Sequence, residues 1–138
     1  MVKGIYLLVI ALERDTDITV GALGNIPFKK GFYLYVGSAK NGLEQRISRH
    51  LREKKKKHWH IDYLLEYGEI VDVKARVGAS QDECALAKRV SEFTNTVKGF
   101  GSSDCRCSGH LFYHIENLSS LRKDVKNHLD VQDHLSYL

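Results

Sequence analysis

The sequence predicts an α/β (α+β) fold, a small and mainly antiparallel mixed sheet flanked by helices. Three observations predict it. Residues 4–12, GIYLLVIAL, are apolar at odd and even positions alike, as in a strand covered on both faces. Phe32–Val36 and the alternating EIVDVKARV at 69–77 read as further strands. The segments between and after them carry apolar residues three and four apart, the period of a helix. A chain of 138 residues reads as one domain, 1–138, able to bury roughly two-thirds of its unfolded surface.

After the first strand, residues 13–31 are turn-rich, with a short strand expected at Ile18–Val20. Phe32–Val36 follows, and Gly37 and Ser38 break the run. A helix is then predicted, with Asn41 and Glu44 as its capping pair and Leu43, Ile47 and Leu51 as its buried stripe. The lysine run ends it. HWHIDYLLEYG forms a second short helix stopped at Gly68, and the strand at 69–77 comes next. SQDE at 80–83 is a capping box opening a helix expected to reach about Lys98, with Leu86, Val90, Phe93 and Val97 inward. GFGSSDCRCSGH is a loop, LFYHI a strand, and a last amphipathic helix carries Leu121, Val125 and Leu129.

The net charge of +4 is unevenly placed. Between Lys40 and Lys57 stand eight basic residues against two acids, net +6, which leaves the rest of the chain at −2. Such local basicity suits a polyanion, or else a solvated helix end. No apolar run approaches the ~18 residues of a membrane span. MVKGIYLLVIALERD lacks a small-residue cleavage site, so a strand in a cytoplasmic protein is expected rather than a signal peptide. An odd set of cysteines (Cys84, Cys105, Cys107) argues for reduced thiols or a metal site over a disulfide framework.

Tyr6 stands in GIY (residues 4–6), Tyr35 in YVG (35–37), and RISRH (46–50) follows. With these blocks the chain resembles the GIY-YIG nuclease superfamily. HWHIDYLL, EC and GFGSSDC.C..HLF extend the likeness to a branch found in archaea and bacteria, sometimes fused to an endonuclease III-like glycosylase. The likeness spans residues 4–115 and leaves 117–138 as a helical extension. It implies a metal-dependent endonuclease acting on DNA, with a role in repair suggested by the fused domains. Tyr6 and Tyr35 would meet at the site to activate water, Arg46 would contact the phosphate, and His50 would lie one turn away on the same helix face. Gly37 and Ser38 would turn the chain and offer N–H groups to the phosphate. Lys40 and Arg49 would add backbone contacts.

Two departures stand out. Tyr35 and Arg46 are eleven positions apart, one more than in several members, with Gly42 as the added residue. The glutamate that would hold Mg²⁺ or Mn²⁺ falls near Lys88, which cannot bind either. Helical phase offers a replacement. Glu83 is about 20° out of phase with Val90 on the inner stripe, whereas Lys88 and Glu92 are about 160° away. Glu83 is therefore the candidate metal carboxylate, or a capping partner of Ser80.

Other constellations remain. His58, His60 and Asp62 could converge on an anion at a helix start, and Ser102 and Ser103 could line a phosphate nest. Cys105, Cys107 and His110 with one of Cys84, His58 or His60 could hold zinc, although Cys-x-Cys is not the usual knuckle spacing. The sequence thus leaves three readings: a DNA endonuclease, a catalytically inactive nucleic-acid-binding module on the same scaffold, and a zinc-stabilised domain.

Overall fold

The computed structural model describes residues 3–40, 42–53, 55–78, 83–102, 107–114, 117–129 and 131–133. In chain order the elements are β1 (Gly4–Leu12), β2 (Thr16–Thr19), a 3₁₀ turn (Gly21–Leu23), β3 (Asn25–Phe28), β4 (Gly31–Ala39), α1 (Leu43–Leu51), α2 (His60–Leu64), β5 (Glu69–Val77), α3 (Glu83–Ser91), β6 (Asn95–Thr96), β7 (Leu111–His114), α4 (Leu118–His128) and β8 (Gln132–Asp133). The main sheet runs β6-β7-β4-β1-β5-β8, and β2-β3 forms a separate hairpin. Every pairing among the described residues is antiparallel, so no strand makes the sheet mixed.

The even residues of β1 (Tyr6, Leu8, Ile10, Leu12) and the odd residues of β4 (Tyr33, Tyr35) face one core. There they meet Leu43 and Ile47 of α1, Ile61 and Leu64 of α2, the β2-β3 hairpin and Phe100. The odd residues of β1 (Ile5, Leu7, Val9) face the other core with Leu86, Ala87 and Val90 of α3 and Leu121, Val125 and Leu129 around α4. A strand with helices on both sides has no polar face, which is why GIYLLVIAL does not alternate. No helix among the described residues is long and apolar enough to cross a membrane.

Several boundaries differ from the sequence reading. The hairpin strands β2 and β3 occupy much of the segment read as turns. The second helix is shorter, only His60–Leu64. The helix expected to reach Lys98 ends at Ser91: Ser91 and Thr94 turn their hydroxyls back onto the carbonyls of Lys88 and Val90. Asn95 and Thr96 then join the sheet beside β7, so Phe93 and Val97 pack from outside the helix. The two capping residues assigned to α1 and α3, Asn41 and Ser80, lie outside the described residues. Gly42, at φ +121°, occupies the N-cap position of α1.

Gly37 and Ser38 do not break the strand. β4 continues to Ala39 in unbroken register with β1, and Gly37 sits opposite Tyr6. Glycine is needed there for space rather than for a turn. A Cβ at Gly37 would overlap Cζ and the hydroxyl of Tyr6, with Cε2 at 2.9 Å. The Tyr6 ring, 1% exposed, cannot be displaced without opening the core. Gly37→Ala is expected to destabilise the fold by about 1–3 kcal/mol, the usual range for overpacking. Urea unfolding measures it, and a loss below about 0.5 kcal/mol would mean that the ring does not rest on this glycine.

Candidate functional site

The end of the sheet where β1 begins and β4 finishes carries the polar cluster. Tyr6 reaches it from β1, Tyr35 from β4, and His50 and Arg46 from α1. The Tyr6 hydroxyl lies 2.7 Å from His50 Nε2. The rings form a compact triangle: Tyr6–His50 5.4 Å, Tyr35–His50 6.1 Å and Tyr6–Tyr35 6.4 Å between centroids. Arg46 donates to the Ser38 carbonyl at 3.1 Å. The four residues assigned catalytic roles from sequence are therefore neighbours, and Arg46 and His50 share the face of α1 anticipated from their spacing.

Burial decides the protonation states. Tyr6 is raised well above the usual phenol value, chiefly by burial and then by Tyr35; Arg46 opposes this through charge and a hydrogen bond, and Glu83 adds to it. Tyr35 is also raised, by burial and then by the Glu83 carboxylate, against Arg46. His50 is lowered to about 3, chiefly by burial, with Lys55, Arg46 and Arg49 adding and Asp62 opposing. Both phenols and the imidazole are thus neutral near pH 7. Arg46 can only donate, so the Tyr6 oxygen accepts from it and turns its own proton toward His50 Nε2. His50 Nδ1 is then a buried donor with no hydrogen-bond partner among the described residues.

A second layer fixes the helix that carries Arg46 and His50. Arg49 makes a two-pronged ion pair with Asp62, both contacts at 2.9 Å. Asp62 Oδ2 also accepts the N–H groups of His58 and Trp59, at 2.8 and 2.9 Å. Burial pushes the Asp62 carboxyl up, but these bonds outweigh it and hold it below its ordinary value. The guanidinium carbons of Arg46 and Arg49 lie 4.4 and 4.3 Å from the Trp59 ring centroid, in cation–π contact. Trp59 carries no role in the sequence reading, and Asp62, read there as part of an anion-facing helix start, instead pairs with Arg49 and accepts the N–H groups of that start. Their signal was the acid three residues after Trp59, an N-terminal capping pattern in HWHID.

Lys55 closes the C-terminal end of α1 by donating to the carbonyls of His50 and Arg52. Arg49, Arg52, Lys55, Lys56, Lys57 and His58 line a cleft of about 370 Å³. Lys40 is exposed just beyond β4. His60 turns inward: its Nδ1 accepts the Gly101 N–H at 2.8 Å, tying the glycine-rich loop to α2. Ser102 is half-buried beside that contact, and Ser103 lies outside the described residues.

Glu83, the first residue of α3, accepts from Ser38 Oγ at 3.1 Å through Oε1 and faces His110 Nδ1 at 3.5 Å through Oε2. Its side chain is 35% exposed, close enough to raise both phenols by its charge. Lys88 is exposed further along α3, as its helical phase required, and Glu92 is exposed beyond the helix. A second group, Cys84, Cys107 and His110, brings three ligand atoms within 4.8 Å of one another and could hold a metal ion. Cys105 lies outside the described residues.

The chain matches the family described as "Domain of unknown function DUF123" over residues 5–132. It belongs to that family. No curated protein and no solved structure matches the chain. The DUF123 match takes in β1 through β8, and with them every residue of the cluster. The family description names no activity.

The state of His50 sets a pH dependence. Its folded pKa, about 3, lies below the ordinary 6.5. Above pH 6.5 neither state is protonated and the full stability is present. As pH falls from 6.5 toward 3 the unfolded chain takes a proton that the folded one refuses, a loss of about 1.4 kcal/mol per pH unit. His50→Gln removes that step. Between pH 6.5 and 4.5 the wild type is expected to lose about 2–3 kcal/mol more than the variant by urea unfolding. Parallel losses would show that His50 is protonated in the folded chain.

Proposed function

We propose that this chain is a metal-dependent endonuclease domain that binds DNA and hydrolyses its phosphodiesters. The observation carrying the proposal is the meeting of Tyr6, Tyr35, Arg46 and His50 at one sheet end with the Glu83 carboxylate beside them. The resemblance to GIY-YIG nucleases requires those side chains to converge, and they come from three separate elements.

The chemistry follows from the protonation states. Arg46, held by the Ser38 carbonyl and the Trp59 ring, presents fixed positive charge to a phosphate and to the charge that builds on it. The Tyr6 hydroxyl and His50 form a relay: Tyr6 takes the proton of an attacking water while passing its own to His50 Nε2. A base with a pKa near 3 is idle in the free protein. A docked phosphate adds negative charge beside the buried imidazole and raises its basicity, so the relay is switched on by substrate. Mg²⁺ typically binds through one or two carboxylates plus substrate phosphates, and the part-exposed Glu83 fits that requirement. Mg²⁺ or Mn²⁺ there would supply further positive charge to the phosphate oxygens. The basic cleft beside α1 would take the flanking backbone.

A second reading is favoured by one observation. Glu83 already serves Ser38 and His110, and Lys88 stands where the family glutamate is expected. On that reading the chain binds nucleic acid without cleaving it.

Arg46→Ala separates the two. The nuclease reading expects Mg²⁺- or Mn²⁺-dependent nicking of branched, damaged or single-stranded DNA, lowered on the order of 10²-fold in the variant. Nicking at the wild-type rate in Arg46→Ala would refute the role given to this cluster. Salt-sensitive binding by the wild type, steep between about 50 and 200 mM, with no turnover in either metal, would establish the binding module instead.

A further inference from the structure

We propose that Cys84, Cys107 and His110 form a zinc site next to the tyrosine cluster, with Glu83 between the two. Cys84 comes from the first turn of α3, Cys107 from the loop before β7, and His110 from the residue just before that strand. Their ligand atoms lie within 4.8 Å of one another. Cys84 Sγ and His110 Nε2 are 3.8 Å apart. In a tetrahedron with Zn–S of about 2.3 Å and Zn–N of about 2.0–2.1 Å, sulfur and nitrogen ligands stand about 3.6 Å from each other. The observed separation leaves room for an ion and little else.

The histidine is oriented for the task. Its Nδ1 faces the Val36 carbonyl at 3.3 Å and Glu83 Oε2 at 3.5 Å. A carbonyl only accepts, so Nδ1 carries a proton, and Nε2, which faces the Cys84 thiol, is the nitrogen left to ligate. A ligating histidine with its other nitrogen on a carbonyl or carboxylate is the usual outer arrangement of zinc sites. Two thiolates and an imidazole select zinc over magnesium or manganese, which take oxygen ligands. A cleft of about 550 Å³ reaches both cysteines, with Lys88 and Ser91 on its wall. It gives the ion an entry path and leaves the fourth coordination position open to solvent.

An ordinary alternative is a thiol donating to an imidazole. That explains Cys84 with His110, but not the arrival of Cys107 from another loop at the same point. The zinc proposal stands apart from the nuclease reading, because its ligands come from α3 and the segment before β7 whereas Arg46 and His50 come from α1; Arg46→Ala is expected to keep its zinc.

The test uses the whole chain, untagged, purified with reductant and without chelator from zinc-supplemented cells. Metal analysis by mass spectrometry is expected to find close to one zinc per chain in the wild type and in Lys88→Ala. Either Cys84→Ser or Cys107→Ser should lower it about tenfold. Should the serine variants fail to fold, wild-type protein stripped of metal and loaded with Co²⁺ gives a second readout. Thiolate-to-cobalt charge transfer with tetrahedral d–d bands supports the site. Less than about a tenth of an equivalent of zinc together with no cobalt bands overturns it. Zinc retained in both serine variants overturns it too, as does an intact mass showing a Cys84–Cys107 disulfide.

Discussion

The Tyr6 ring resting on Gly37 across the β1–β4 ladder is the contact on which the site depends. β1 and β4 pair over nine successive positions, from Gly4 opposite Ala39 to Leu12 opposite Gly31. Any side chain at position 37 would force Tyr6 to swing away from the strand beside it. With glycine there, the phenol extends over β4 and its hydroxyl comes within hydrogen-bonding distance of His50. α1 can then lie against the same face with Leu43 and Ile47 buried. The absence of one side chain therefore positions two polar ones, and the fold and the site share a single steric requirement.

The basic segment divides its labour. Arg49 is committed to Asp62, which in turn holds the N–H groups at the start of α2. Removing either partner of a buried pair leaves an uncompensated charge, typically a loss of about 3–5 kcal/mol. Arg49 is thus an anchor first, whatever else its charge contributes. Arg52 and Lys56 are exposed and keep the field that a polyanion would feel, whereas Lys57, also exposed, pairs with Glu66. Arg46 stands between these roles: its partners are a carbonyl, the neutral Tyr6 hydroxyl and an aromatic ring, none of which neutralises it. That is the pattern expected of a cation kept available for a ligand.

The sequence made the layered α/β architecture and the cluster legible, because each rests on a periodic signal. β1 is apolar at every position, α1 repeats Leu43, Ile47 and Leu51, and Arg46 and His50 are four apart on that same helix. What it concealed depends on contacts between distant residues. The end of α3 was hidden because Phe93 and Val97 continue the apolar spacing; only the pairing of Asn95 and Thr96 with β7 ends the helix. Gly37 reads locally as a strand breaker, and its steric role exists only once Tyr6 is opposite. Trp59 and Asp62 look like a helix start, and nothing local says that two guanidiniums will gather there. Cys84 is separated from Cys107 by the whole of α3 and a loop, so its pairing was one alternative among several.

Glu83 joins the two halves of the molecule. Ser38, on the strand that carries Tyr35, donates to one of its oxygens, and His110 faces the other. A carboxylate with both oxygens occupied is oriented but not saturated, because each oxygen has two lone pairs. It can still accept a hard cation from the exposed side. Its orientation, however, is shared with His110, whose other nitrogen faces Cys84. One imidazole thus stands between the Cys84 thiol and Glu83, the one acid among the described residues that raises both tyrosines. The placement of Glu83 at the head of α3 therefore ties the charge around the two phenols to the orientation of His110.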